Sequence, residues 1–156
     1  MNQNGQKQLL TKDGLAELRR EHEELVHIKR PDMVIRLAAA REQGDLSENS
    51  EYTDAKDSLT FIDGRISELE EILRTAVVVT EKNHGSDAGI GSKVTLHIDG
   101  KNEAFFLVGE WEADPMNKKI SPSSPLGKAL MGKKVGEIVE YQAPVGKIHY
   151  KILEIE

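Results

Sequence analysis

"EYTDAKDSLTFIDGRISELEEILR" runs from Glu51 to Arg74, and the spacing of its apolar residues decides the fold. Tyr52, Ala55, Leu59, Ile62, Ile66, Leu69 and Leu73 are separated by alternating gaps of three and four, which line one side of an α-helix and form the seam of a coiled coil. Such a helix cannot bury its own stripe and needs a partner. The preceding run supplies one. From Thr11 onward the chain is dense in Glu, Leu, Ala and Arg and almost free of breakers. Leu15, Leu18, His22, Leu25 and Ile28 trace a second stripe, and Ile35, Ala38 and Ala39 resume it beyond Pro31, which is expected to bend the helix. "LLTKDGL", Leu9 to Leu15, predicts the helix start, with Thr11 capping the first turn and Leu10 packing on Leu15. Two such helices joined by a short polar turn fold back as an antiparallel hairpin. At a rise of ~1.5 Å per residue the first helix would be roughly 45–50 Å long, placing the turn at the end of an arm.

The turn itself reads "REQGDLSENSEYTD", Arg41 to Asp54. Glu42, Asp45, Glu48, Glu51 and Asp54 recur every third residue, and the spacing continues to Asp57. Asp45-x-x-Glu48 fits a capping box for the second helix, where acidic side chains are favourable. Capping accounts for two or three of these acids only. Glu42 lies near the end of the first helix, where negative charge is unfavourable, and Glu51 and Asp54 exceed what a cap needs. The functional alternatives are a basic partner or a hard divalent cation. Mg²⁺ prefers carboxylate oxygens, often one or two in a site otherwise built from water and phosphate. Carboxylates three residues apart at a helix start can point the same way. Two on an exposed tip would hold the ion weakly, which implies a site completed by another macromolecule.

From Ala76 the texture changes. "AVVVTE", "KVTLHID", "EAFFLVG", "EIVEY" and "KIHYKILEIE" are short runs rich in β-formers, several alternating apolar with polar residues. Asp99-Gly100 between two of them is a hairpin signal. Pro125 to Met131 has helical character and ends at Gly132. The expected class is α+β: a coiled-coil hairpin over residues 1–75, then a small antiparallel β domain with one short helix over 76–156.

Composition narrows the functions. The chain has 156 residues, 38% hydrophobic and 31% charged, which suits a helical, well-solvated protein with modest cores. A net charge of −6 argues against wrapping nucleic acid with the whole surface, though not against a local basic patch. The absence of cysteine excludes disulfides, thiol nucleophiles and cysteine zinc sites. The five histidines have no close ligand spacing, and no GxSxG, Walker loop or GxGxxG occurs. His22 reads as a seam residue and Trp111 as a packing residue. No apolar run approaches the ~20 residues of a membrane span, and the N-terminus has no signal-peptide core, so a cytoplasmic protein with no membrane partner is expected; a monomer is expected as well.

"AREQGDLSENSEY" between two coiled-coil helices closely resembles the tip motif of the bacterial Gre transcript cleavage factors of the GreA type. "RPDMVIRLAAAREQGD", "GRISELEEIL", "ISPSSPLGKALMGKKVGEIVEY" and the terminal "KILEIE" fit the same pattern, so the likeness covers nearly the whole chain in order. It implies an elongation factor that binds bacterial RNA polymerase and is not itself an enzyme. The coiled coil would enter the secondary channel, and an FKBP-like C-terminal domain would dock at its rim. The tip would help the polymerase hydrolyse RNA whose 3′ end has backtracked. The two tip acids of the family map onto Asp45 and Glu48, ligands for a second Mg²⁺ shared with the polymerase. Arg41 and Lys56 resemble its basic patch for the extruded RNA, with ion pairing to nearby acids as the structural alternative. Ser121, Ser124, Pro125 and Leu126 fall in its polymerase-docking loop. Rival readings are a channel-binding paralogue that inhibits, and a coiled-coil chaperone or scaffold.

Overall fold

The structure, a computed structural model, describes residues 7–44, 49–80 and 86–156. The chain divides into two compact units, Ala16–Thr75 and a second one built from Met1–Leu15 together with Ala76–Glu156.

In the first of these, α1 (Lys12–Glu24) passes through a π-helical turn, Leu25–Lys29, into α2 (Arg30–Glu42), and α3 (Ser50–Thr75) packs back against α2. Along α3 the seam follows its spacing: Ala55, Ile62, Ile66 and Leu69 are buried and Tyr52 and Leu59 half-buried. Removing each large aliphatic from water contributes about 1.5–3 kcal/mol. At the far end Ile72 is buried and Leu73 only half-buried, because a straight helix drifts from a strict heptad.

The first stripe departs from expectation at the π turn. Leu18 and Leu25 are buried, but Ile28 and Ile35 are 64% and 68% exposed, and Ala38 and Ala39 also face solvent. Met33, Leu37 and Ala40 take the inward face instead. The cause is the inserted residue. The Arg30 N–H bonds to the Leu25 carbonyl, five residues back, which rotates everything beyond it relative to a regular helix. Lys29 pairs with Glu24 at 3.2 Å, a five-residue spacing that a π turn brings together. The widened turn accommodates Pro31, which has no N–H to give to a regular ladder. The helices are also tied by ions. Arg65 grips Glu21 with two bonds, 2.7 and 2.9 Å, and Arg30 meets Asp63 at 2.7 Å. The bonded Arg65 guanidinium holds the Glu21 carboxyl below its usual range. His22 lies in this interface, 3.4 Å from Glu70.

The other unit is a five-stranded sheet. β3 (Lys93–Ile98) and β4 (Lys101–Leu107) form a hairpin about Asp99 and Gly100, whose φ angles of 45° and 80° are those of a tight two-residue turn. Following β5 (Lys119–Ile120) and α4 (Pro125–Leu130), β6 (Ile138–Ala143) and β7 (Gly146–Ile155) make a second hairpin, and the strand order is β5-β4-β3-β7-β6. The pairings are antiparallel except for β4 with β5, which is parallel, so the sheet is mixed at one edge. Val94, Leu96, Leu107, Leu130, Val139, Tyr150 and Ile152 pack beneath it as the core.

The residues expected to form one domain up to Thr75 are shared out differently. β1 (Gln8–Leu10) pairs in parallel with β2 (Ala76–Val78), so the first fifteen residues group with the β-rich half. Glu112 secures this arrangement from 101 positions away. Its carboxylate accepts the Thr11 N–H at 2.8 Å, the Gly109 N–H at 3.0 Å and the Thr11 hydroxyl. Thr11 Oγ1 in turn accepts the Gly14 N–H at 3.0 Å, the expected cap of α1. Trp111, 40% exposed, donates from Nε1 to Gln8 Oε1 at 2.9 Å.

Candidate functional site

The two helix ends at the turn are defined by one side chain. Ala40, the last buried residue of α2, presents a carbonyl that accepts the Gln43 N–H at 3.3 Å. Gly44 then leaves the helix at φ 107°, a region glycine enters without steric cost. On the other side Asn49 precedes α3. Its Oδ1 accepts the Tyr52 N–H at 3.1 Å and its carbonyl the Thr53 N–H at 3.2 Å, so Asn49 is the N-cap. Its Nδ2 donates to the Ala40 carbonyl at 2.8 Å. Gln43 Nε2 adds a bond of 3.1 Å to Glu51.

Asp45 and Glu48, together with Leu46 and Ser47, lie outside the described residues. The capping-box reading of Asp45-x-x-Glu48 falls on these same residues; among the described ones, the first turn of α3 takes a side-chain cap from Asn49.

Arg41 and Lys56 flank the same end of the hairpin and are both exposed. The Arg41 guanidinium carbon lies 5.9 Å from the Tyr52 ring centroid, a cation–π distance. Among the described residues neither Arg41 nor Lys56 forms an ion pair.

Within the loop from Ser121 to Leu126, two of the side chains expected to dock are turned inward. Ser121 is 5% and Leu126 9% exposed, so both side chains face inward. Ser124 Oγ caps α4, accepting the Gly127 N–H at 3.0 Å and donating to the Ser121 carbonyl at 2.7 Å. Gly127 permits this closeness, since a Cβ there would stand 1.9 Å from the Ser121 oxygen. Pro125 and Ser123 are the exposed side chains, and Ser123 donates to Glu110 at 2.7 Å. A helix of one and a half turns has little strength of its own, so Ser121, Ser124 and Leu126 are consumed in holding it. Of the four residues expected in a docking loop, Pro125 is exposed and Ser124 half-exposed.

A cleft of about 720 Å³ in the β-rich unit, lined by Thr11, Val79, Ser92, Phe106, Val108 and Lys119 among others, contains none of the sequence-predicted site residues. Among the described residues no group of three or more His, Asp or Glu side chains could hold a metal on its own.

The family described as "Transcription elongation factor, N-terminal" matches residues 8–78, and "Transcription elongation factor, GreA/GreB, C-term" matches 82–156. The chain belongs to the GreA/GreB family of transcription elongation factors. It is 47% identical to transcription elongation factor GreA of Thermoanaerobacter pseudethanolicus over 150 residues, covering 94% of this chain and 96% of that one. Identity to the GreA of Lactococcus lactis subsp. cremoris is 44% over the same length, with the same coverage. The crystal structure of GreA factor homolog 1 of Thermus thermophilus aligns at 31% identity over 97% of this chain and 99% of that one, with a TM-score of 0.46. In this GreA/GreB-family chain the N-terminal match ends at the last residue of β2 and therefore takes in both the helical hairpin and the β1–β2 ribbon.

Proposed function

We propose that this chain binds RNA polymerase, carries its helical hairpin into the secondary channel and stimulates the polymerase's own cleavage of backtracked RNA. The observation that carries the proposal is the match of both halves of the chain, residues 8–78 and 82–156, to the GreA/GreB elongation-factor family.

Asp45 and Glu48 are the residues that would hold Mg²⁺ shared with the polymerase, and their hard carboxylate oxygens suit that ion. When bound, a second Mg²⁺ activates water and neutralises charge at the scissile phosphate. Two carboxylates are part of a site, and the polymerase and RNA phosphate supply the remainder. Arg41 and Lys56 present cations to the phosphates of the extruded RNA 3′ segment. Arg41 is steadied over the Tyr52 ring while it does so. Pro125 and Ser123 contribute to docking, on a loop braced by Ser121, Ser124 and Leu126. The protein acts as a cytoplasmic monomer and has no hydrolytic activity apart from the polymerase.

The test separates arm from tip. Asp45→Asn and Glu48→Gln preserve size but remove the charge. Polymerase binding should survive, whereas cleavage in reconstituted stalled complexes should fall by at least ~10²-fold, corresponding to several kcal/mol of metal-ligand contribution. Normal cleavage by both bound variants would overturn the proposal.

A further inference from the structure

We infer that the outward side of α2 is a second interaction surface, on which Pro31, Val34, Ile35, Ala38 and Ala39 pack against an apolar helix of RNA polymerase. The inference rests on the polymerase binding proposed above. All five residues are exposed, Ile35 at 68% and Val34 at 42%. Their spacings of three and four put them side by side on one face. Met33, Leu37 and Ala40 take the inward face, so α2 is apolar on two sides. A helix that is apolar beyond one stripe is ordinarily covered beyond it, and α3 covers one side. The outward residues are unfavourable where they stand. Val34 and Ile35 are β-branched neighbours, and at exposed helix positions Ala, Leu, Glu or Lys is preferred to either. Along α3, by contrast, every exposed residue from Ser50 to Thr60 is polar. Phe61, just beyond them, is apolar and 77% exposed.

The chemistry and size of the stripe point to its partner. The cations beside it are neutralised, Arg30 by Asp63 at 2.7 Å and Arg36 by Asp32 at 3.1 Å, so the facing surface needs no opposite charge. Pro31, Ile35 and Ala39 form a ridge at the four-residue interval by which helices interlock, and the short side chains of Ala38 and Ala39 admit a close approach. A run from Pro31 to Ala39, at ~1.5 Å per residue on a helix about 10 Å wide, offers on the order of 150 Å². A stable complex takes ~800 Å² from each partner. The stripe alone therefore does not hold a second copy of the chain. It fits an added contact on a macromolecule that the chain already holds through other surfaces, as the polymerase would be.

The double variant Val34→Gln, Ile35→Gln removes the centre of the stripe and substitutes a better helix former, so folding is not put at risk. Ile35→Leu keeps an apolar side chain, and Thr60→Gln changes the exposed side of α3 instead. Helicity and thermal midpoint are measured on each free protein, and polymerase binding and RNA cleavage on reconstituted stalled complexes over a range of factor concentrations. The double variant should keep the parent's helicity and need about 10-fold more factor for half-maximal cleavage, as the loss of one or two buried aliphatic contacts implies. At saturation it should reach the parent rate. Ile35→Leu and Thr60→Gln should match the parent throughout. A photo-cross-linking amino acid in place of Ile35 should join the chain to a polymerase subunit. Parent-like half-saturation of the double variant, a fall confined to the rate at saturation, or cross-links formed only between copies of the chain would each overturn the inference. A parent chain that does not bind the polymerase brings down the underlying reading as well, whereas normal binding by parent and double variant alike brings down the stripe alone.

Discussion

Replacing Gly14 by Ala puts the lock at the start of α1 to a test in which two effects have opposite signs. Gly14 sits in the first turn of a helix, where helix propensity alone favours Ala by up to about 1 kcal/mol. A Cβ at Gly14, however, would lie 1.9 Å from both Cδ and Oε1 of Glu112. The end of a Glu side chain ordinarily swings aside at little cost, but this one accepts bonds from the Thr11 N–H, the Thr11 hydroxyl and the Gly109 N–H. Moving it forfeits most of them. Bonds to a charged acceptor are worth about 1.5–3 kcal/mol when buried; for a partly buried carboxylate about 1 each is appropriate, giving ~2–3 kcal/mol lost. Subtracting the propensity gain, Gly14→Ala should destabilise by ~1–2 kcal/mol. In a Glu112→Ala background the obstruction is gone, and the same change should stabilise by up to about 1 kcal/mol. Urea unfolding of the four proteins of the cycle, compared through midpoint and slope, measures this directly. Equal effects of Gly14→Ala in the two backgrounds, or a stabilised single variant, would refute the lock.

Two further outcomes follow from other contacts. Because Arg65 holds the Glu21 carboxyl below its ordinary 4.5, the pair's contribution is complete above that value and is lost as pH falls through the lowered one. Acid unfolding of the parent followed by circular dichroism should therefore steepen below pH 4.5, and Glu21→Gln should flatten that limb by up to ~1 kcal/mol, a modest figure because the pair is solvent-accessible; an unchanged profile would mean that the pair is not formed in solution. Gly127→Ala forces a Cβ to within 1.9 Å of the Ser121 backbone oxygen, so it should destabilise the β-rich unit by roughly 1–3 kcal/mol and raise the factor concentration needed for cleavage without lowering the rate at saturation; parent-like melting would count against the loop geometry.

Much of the fold could be read where a period repeats. The α3 seam from Ala55 to Leu69 and the alternating strands around Val94, Leu96, Tyr150 and Ile152 were legible because burial on one face leaves a pattern in the chain. The face of α2 was not. Pro31 announced a disturbance, but whether it would kink the helix or insert a residue is decided by the surrounding packing, and the insertion turned Ile35 outward. β1 escaped notice because three residues carry no period, and its pairing partner lies beyond the hairpin. At the tip, Arg41, Lys56 and the acids stood out by charge. The two bonds of Asn49 left no such mark, since they depend on the two helix ends being opposite each other, a tertiary condition without local signature. The loop from Ser121 to Leu126 was recognisable by likeness, but its division into braces and an exposed proline became visible only with burial.

The parallel pairing of β1 with β2 also orders events during synthesis. Gln8–Leu10 emerge from the ribosome first, yet their strand partner begins at Ala76 and Glu112 is made 101 residues after Thr11. At roughly 5–20 residues per second, the amino-terminal strand waits some 5–20 s for the groups that fix it. Helical hairpins with local contacts form in about microseconds to milliseconds, so the arm can be complete long before. Once folded as an antiparallel pair, it brings Leu10 and Val78 near one another and removes most of the loop-closure entropy that a flexible connection of this length would cost. The hairpin thus acts as a folding clip for the unit whose chain it interrupts, and a variant with a weakened seam should mature slowly in the β-rich unit.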